Sequence, residues 1–223
     1  RCPGAPPGRC KTGAGPDEVR RAIQASRDAW SLWSATPWED RAAIFLRAAE
    51  LLSTTWRATL NAATMLAQSK TAHQAEIDSA CELIDFFRFN AWFAERIHED
   101  QPISGAGVWN RTDYRPLEGF VYAVTPFNFT AIAGNLPSAP ALMGNVVLWK
   151  PSAAAVYSGY WVMRLLEAAA LPPGVINFLP GDPHVVTDAL IDHPDFAGLH
   201  YTGSTTVFQG LWKTIAARLP RYR

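Results

Sequence analysis

The sequence has few cysteines, no excess charge of either sign and no long apolar run. Its three cysteines, Cys2, Cys10 and Cys81, are too few and too scattered for a disulfide framework or a zinc site, so we expect no metal centre. Because 20 basic residues balance 20 acidic ones without a basic run, neither nucleic acid nor an anionic membrane is favoured as a partner. No segment reaches the ~20 consecutive apolar residues of a membrane span. With 48% apolar residues in 223 positions, the chain is typical of a folded globule.

The sequence leaves two interpretations of Cys2 and Cys10 open. A Cys2–Cys10 bridge is one of them; two thiols in a flexible leader is the simpler interpretation, since residues 1–15 are dense in proline and glycine and are predicted to be disordered. Cys81 lies within a helical pattern and is predicted to be a small buried residue. It has no nearby base in the sequence, and a reactive thiol needs an electropositive setting.

The amino-terminal part, residues 16–100, is predicted to be helical. Apolar spacing indicates one helix from Asp17 that Pro37 stops, two more at 40–52 and 55–66, and the longest at 72–97. The longest helix carries four carboxylates, for which a solvated face or pairing with Arg88 or Lys70 is the default expectation: Glu76, Asp78, Glu82 and Asp85. Residues 101–118 favour an excursion of short strands.

From residue 119 onwards apolar strands alternate with helical runs. The strands are predicted at 119–125, 145–149, 175–179 and 197–201, and the helices at about 130–143, 154–170, 183–192 and 204–218. Such alternation is typical of a parallel sheet, because parallel strands need long crossovers that are normally helices. The predicted fold class is therefore α/β: amino-terminal helices followed by a doubly wound, mostly parallel sheet at 119–223.

The glycine motif of many dinucleotide-binding sheets, G-x-G-x-x-G, does not occur here. Polar groups instead follow three strands, in Lys150-Pro151-Ser152, in Pro180-Gly181-Asp182-Pro183 and in Tyr201-Thr202-Gly203-Ser204. The Lys150 ammonium suits ribose hydroxyls or phosphate, the Ser152 hydroxyl suits helix capping, and the helix start at Ser204 suits a pyrophosphate. Ordinary turn chemistry explains each alone, whereas their recurrence at successive strand ends predicts a nucleotide site.

Asn128 follows the first strand in the turn Pro126-Phe127-Asn128-Phe129. A preorganised amide in such a turn stabilises a developing oxyanion by roughly 3–4 kcal/mol. An asparagine that tolerates a tight turn is an equally good interpretation of this position.

Taken together, these motifs resemble the amino-terminal half of the aldehyde dehydrogenase family. Two further stretches, around 75–90 and 134–145, are similar to the glutamate-γ-semialdehyde (pyrroline-5-carboxylate) dehydrogenases of the mitochondrial matrix. The resemblance covers roughly residues 16–223. It implies an NAD-binding domain, an aldehyde substrate, oxidation of L-glutamate γ-semialdehyde to L-glutamate in proline catabolism, and a homo-oligomer in the full-length family member.

The resemblance also implies roles for individual residues. Asn128 would form part of the oxyanion hole, Phe129 part of the aldehyde pocket, and Glu82 would meet the α-amino group of the semialdehyde. The residues that would hold NAD are Lys150, Ser152, Gly181, Gly203 and Ser204. The third position after Lys150, often acidic in related enzymes, is Ala153, which leaves the preference between NAD and NADP open.

One departure from the family pattern bears on activity. The reaction needs a cysteine in a Gly-Gln-x-Cys-like context and a glutamate in a Glu-x-Gly-Gly-Lys-like context, and neither occurs in the 223 residues. We expect the covered chain, an incomplete domain without the catalytic domain, to be inactive alone. The alternatives are a non-catalytic nucleotide-binding or subunit-assembly protein, which would pair through residues 102–115, and an incomplete gene model.

Overall fold

A computed structural model describes residues 13–222, so the expectations for Cys2, Cys10 and residues 1–12 lie outside the described residues. The first half of the chain is helical: α1 (Pro16–Ala35), α2 (Trp38–Ser53), α3 (Arg57–Gln68), α4 (Ala72–Ala75), a π-helical segment (Glu76–Glu82) and α5 (Leu83–Glu99). The second half alternates: β1 (Phe120–Val124), α6 (Thr130–Leu142), β2 (Val146–Lys150), α7 (Val156–Ala168), β3 (Ile176–Phe178), α8 (Pro183–Ile191), β4 (Phe196–Tyr201) and α9 (Thr205–Arg218). Single 3₁₀ turns lie at Ala153–Ala155 and Leu219–Arg221.

The four strands form one parallel sheet in the order β3-β2-β1-β4, which confirms the predicted α/β class. Helices α6 and α7 pack together, while α8 packs with α1. The strand order reverses direction between β3 and β4, and the usual right-handed crossover then puts α8 on the face opposite α6 and α7. Helix α1 packs beside α8 and against the strands, while α2 and α5 cover α6. Both faces of the sheet are therefore covered, as parallel sheets require.

The central strands form the core of the sheet. Trp149 and Tyr122 are fully buried, and the Trp149 indole donates a hydrogen bond of 2.9 Å to Thr125 Oγ1. The Tyr122 hydroxyl lies 2.9 Å from Thr187 Oγ1, and burial raises the pKa of Tyr122 to about 12. These two bonds satisfy polar atoms that would otherwise be costly to bury, and they fix β1 against β2 and α8.

Helix α6 forms despite two internal prolines, Pro137 and Pro140. Pro140 has no N–H for the carbonyl of Leu136 one turn earlier, which would leave that oxygen without its helical partner. His200 on β4 takes the place of the missing helical partner, with its Nδ1 2.8 Å from Leu136 O. The proline therefore frees a carbonyl that links α6 to the edge strand.

Residues 101–118 contain no strand, where the sequence favoured short strands. The two arms of this excursion are joined by side chains instead: Gln101 bonds Thr112 N at 2.8 Å, and Asn110 bonds Ile103 O at 2.9 Å. A backbone ladder needs two strands in register, and here polar side chains take up the backbone groups. Ile103 and Trp109 are 94% and 79% exposed.

Candidate functional site

A crevice of about 580 Å³ lies at the carboxyl edge of the sheet. The parallel register brings Val124, Lys150 and Tyr201 to the same level, so that the loops after β1, β2 and β4 meet there. The chain turns in opposite directions from β1 to β2 and from β3 to β4, and ligands of open α/β sheets bind at such a switch point. Six of the eight residues singled out from the sequence line the crevice: Asn128, Phe129, Lys150, Ser152, Gly203 and Ser204.

Lys150 brings a buried cation to this crevice. The residue is only 8% exposed, and burial lowers the pKa of its ammonium, with Asp182 acting weakly in the opposite direction. Among residues 13–222, no hydrogen bond of Lys150 Nζ is found. A largely buried lysine whose ammonium meets the crevice without a hydrogen-bonding partner is unfavourable in a purely structural position, and a functional role is the more consistent explanation.

The loop after β4 offers backbone and hydroxyl groups on the opposite side of the crevice. Ser204 caps α9, with Val207 N donating to its hydroxyl at 3.4 Å, so the positive end of the helix points to the crevice. A Cβ on Gly203 would lie 2.3 Å from the Tyr201 hydroxyl oxygen, so a side chain there would require the tyrosine to move. The start of α9 therefore lies in the crevice wall, where the positive end of a helix favours an anion.

Ser152 does not cap a helix, contrary to the expectation from the sequence. The 3₁₀ turn that follows is closed by the Ser152 carbonyl, which accepts from Ala155 N at 3.0 Å, and the side chain makes no capping bond. The half-buried hydroxyl lies in the crevice wall instead.

Gly181 lies outside the crevice lining. Its neighbour Pro180 accepts a hydrogen bond of 2.6 Å from Ala14 N, and a Cβ on Gly181 would stand 2.7 Å from Ala14 O. Asp182, the next residue, caps α8 by accepting from His184 N at 2.9 Å. The hydrogen bonds that Val185 N and, next, His184 N donate to Asp182 lower the pKa of its carboxyl and keep a negative charge near Lys150.

The Pro126–Phe129 turn forms the remaining wall. Phe127 is 63% exposed and Phe129 37% exposed, so an aromatic surface faces solvent beside Asn128. The Asn128 carbonyl accepts a hydrogen bond of 2.6 Å from Lys70 Nζ, and the same ammonium lies 4.4 Å from the centre of the Phe129 ring. The Asn128 side chain is exposed at the crevice, where an amide donor can reach a bound molecule.

Lys70 and Asp78 support this turn and were not singled out as site residues from the sequence. Asp78 is 2% exposed and forms an ion pair of 2.6 Å with Lys70, one of the two partners that the sequence suggested. No local pattern in the sequence distinguishes it from the other three carboxylates of this helix, because its partners lie far away along the chain.

Glu82 ends the π-helical segment and lies outside the crevice lining. Burial raises the pKa of its carboxyl, the charge of Asp78 raises it further, and Lys70 opposes both. Glu82 follows Asp78 by four residues, and the charges of both Asp78 and Lys70 act on its carboxyl. Single-turn π-helical insertions are frequent at functional sites.

Glu76 and Cys81 lie close to Asp78 in the sequence but share neither its partner nor its burial. Glu76 pairs with Arg57 and accepts from Asn61 Nδ2 at 2.6 Å, rather than pairing with Arg88 or Lys70. Cys81 is exposed, not buried as predicted, because the π-helical turn rotates it out of the apolar stripe.

Within residues 13–222, no cluster of acidic, histidine and cysteine side chains could hold a metal ion. No described helix is long and apolar enough to span a membrane.

Comparison with known proteins identifies the family. A sequence model of the aldehyde dehydrogenase family matches residues 9–222. The chain belongs to the aldehyde dehydrogenase family.

Individual relatives agree with this assignment. The delta-1-pyrroline-5-carboxylate dehydrogenase of Agaricus bisporus is 55% identical over 93% of this chain and 38% of its own length. The mitochondrial enzyme of that name from Emericella nidulans is 55% identical over 91% of the chain and 36% of its own length. The crystal structure of the Mycobacterium tuberculosis enzyme bound with NAD is 57% identical, with a TM-score of 0.94 over 95% of the chain and 40% of its own. The chain thus spans well under half of the relatives that it matches.

Proposed function

We propose that this chain supplies the cofactor crevice and part of the aldehyde pocket for NAD-dependent oxidation of L-glutamate γ-semialdehyde to L-glutamate, in proline catabolism in the mitochondrial matrix. The supporting observation is that Lys150, Ser152, Gly203 and Ser204 meet Asn128 and Phe129 in one crevice. Relatives named delta-1-pyrroline-5-carboxylate dehydrogenase support the substrate class, and the name of the Emericella nidulans relative supports the compartment.

The crevice fits a dinucleotide. Its volume of about 580 Å³ lies within the range of small-molecule pockets, roughly 300–1,000 Å³. Lys150 would hold ribose hydroxyls, and the start of α9 with Ser204 would face a phosphate. Gly203 would let the backbone come close to the ligand. The chemistry that NAD would supply is acceptance of the hydride that the aldehyde carbon loses.

The other wall would hold the aldehyde. The Asn128 amide would donate to the aldehyde oxygen as negative charge develops there, and Phe129 would exclude water from one side. Glu82 would face the α-amino group of the semialdehyde. The 223 residues contain no nucleophile in the family context, and we expect them to bind NAD without turnover.

Two measurements on the 223-residue chain test this proposal. Calorimetric titration with NAD should show a single site, and titration with NADP gives the preference that Ala153 leaves open. Mixing the chain with NAD and semialdehyde should give no NADH absorbance above background. Absence of NAD binding to the folded chain would overturn the cofactor role, and turnover would overturn the expected inactivity.

A second candidate is a non-catalytic protein that assembles with full-length subunits. The supporting observation is the segment at 101–118, where the large apolar side chains of Ile103 and Trp109 are strongly exposed. Exposed apolar side chains on an extended arm favour contact with another subunit, and a homo-oligomer is expected for the whole enzyme. Size measurement of the chain alone and mixed with an intact dehydrogenase subunit tests this, since a chain that stays monomeric in both samples argues against assembly.

A further inference from the structure

The turn that carries Asn128 is held from outside the sheet by a single lysine. Lys70, in the link between α3 and α4, makes three contacts through its ammonium group. Its Nζ lies 2.6 Å from Asp78 Oδ2, 2.6 Å from Asn128 O and 4.4 Å from the centre of the Phe129 ring. The Lys70 ammonium therefore contacts both Asn128 and Phe129, the two residues with proposed aldehyde contacts.

Asp78 holds the next part of the same segment. Its carboxylate accepts from Thr130 N at 3.0 Å and from Ala131 N at 2.9 Å, the first two amides of α6. A carboxylate at a helix start satisfies amides that lack partners within the helix and interacts favourably with the helix dipole. Asp78 thus fixes where α6 begins, and Lys70 fixes the residue just before it.

We propose that Lys70 and Asp78 are positioning residues that preorganise the Asn128 amide. This inference rests on the proposed function, in which that amide contacts the aldehyde oxygen. An oxyanion donor is effective only when it is already oriented before charge develops. Asn128 is exposed at a turn, and among the described residues its own side chain makes no hydrogen bond that would orient it.

A general structural role would not require this arrangement. The Arg57–Glu76 pair joins α3 to the π-helical segment, much as Lys70 joins the link after α3 to it, yet it has no hydrogen bond or ion pair to residues 126–129. Lys70 reaches past Asp78 to a carbonyl and a ring of the turn itself. The chain therefore contains a matched control, an ion pair that links the helices without touching the turn.

The test uses ¹⁵N relaxation on the folded 223-residue chain and compares Lys70→Met with Arg57→Met. In Lys70→Met we expect the backbone order parameters of Asn128 and Phe129 to fall from about 0.85 to below about 0.6, and the Asn128 side-chain amide resonance to move. Arg57→Met should leave both unchanged. Lys70→Arg keeps the cation and its donors, and should restore the order.

Asp78→Asn provides an independent second variant. Its amide retains one acceptor for α6 but loses the ion pair, so the Thr130 and Ala131 amide protons should shift upfield and Asn128 should lose order. Unchanged Asn128 order in folded Lys70→Met or Asp78→Asn would overturn the inference, as would an equal loss in Arg57→Met. NAD titration of the same samples separates the two proposals: failure of the wild-type chain to bind NAD contradicts the proposed function and leaves the relaxation result standing.

Discussion

Two lysines serve the crevice in different surroundings: Lys150 lines it, and Lys70 supports the Pro126–Phe129 turn that forms part of its lining. The Lys70 side chain, 17% exposed, meets a carboxylate, a carbonyl and an aromatic ring. Lys150 is 8% exposed, has no hydrogen bond from Nζ among the described residues, and has its pKa lowered by burial. Lys70 is integrated into the fold, whereas Lys150 is left available for a ligand.

The difference between the two lysines indicates that Lys70 stabilises the fold, whereas Lys150 is kept for binding a ligand. A buried ion pair with further hydrogen bonds is costly to break, because removal of one partner leaves the other charge buried. A buried cation without such a partner weakens the fold and is retained where a ligand completes its interactions. Substitutions at the two lysine sites should therefore have opposite effects on stability.

The largest effect is expected from removal of the partner of Lys70. Asp78→Ala deletes an ion pair and two helix-capping bonds, and leaves the Lys70 ammonium largely buried. We expect the free energy of unfolding to fall by about 3–5 kcal/mol, measured by urea denaturation. The matched substitution is Glu76→Ala, two residues earlier, whose more exposed pair should contribute only about 0.2–1 kcal/mol. Equal losses in the two variants would remove the distinction between the two pairs.

The next effect concerns binding by Lys150. Lys150→Met removes a charge-assisted hydrogen bond of about 1.5–3 kcal/mol and should weaken NAD binding by roughly 10- to 100-fold, measured by calorimetry. Lys213→Met, at an exposed position of α9, is the control and should leave the affinity unchanged. An unchanged affinity in Lys150→Met would contradict the assignment of this lysine to the cofactor.

The same variant should be more stable than the wild-type chain at neutral pH. Burial lowers the pKa of Lys150 from 10.5, so the folded chain binds fewer protons than the unfolded chain in the window just below 10.5. Stability of the wild-type chain should rise with pH through that window and be lower beneath it. In Lys150→Met this rise should disappear, which urea denaturation at several pH values would detect.

The sequence predicted the architecture because local signals agreed with the long-range pairing. All four apolar runs became strands, and the parallel register then brought Lys150 and Tyr201 to one level, as strand ends require. The crevice could be predicted from residues that immediately follow strands. The family resemblance added roles for Asn128 and Phe129 that spacing alone left open.

Other features depend on contacts that no local pattern encodes. The carboxylate of Asp78 meets amides 52 and 53 residues away, and only the packed structure shows which of four carboxylates faces them. The π-helical segment shifts the helical period, which is why Cys81 emerged where burial was expected. At 101–118 the mixture of glycine, serine and asparagine with Val108, Trp109 and Tyr114 favoured short strands, but no neighbouring strand pairs with this segment in the described chain.

The smallest predicted effect concerns Glu82. It tests whether this carboxylate is held by favourable contacts within the fold, as Lys70 is, or is kept available for a ligand, as Lys150 is. Burial, and next the charge of Asp78, raise the pKa of Glu82 above 4.5, so the folded chain binds this proton more tightly than the unfolded chain. The resulting stabilisation is present below pH 4.5 and is lost as the pH rises through the folded pKa. Glu82→Gln should therefore flatten the pH dependence of the urea midpoint above 4.5 and make the chain slightly more stable at neutral pH. Glu95→Gln, at an exposed position on α5, should change neither. If Glu82→Gln lowers stability at neutral pH, the carboxylate is held by favourable contacts like Asp78, and it is not a group kept available for a ligand.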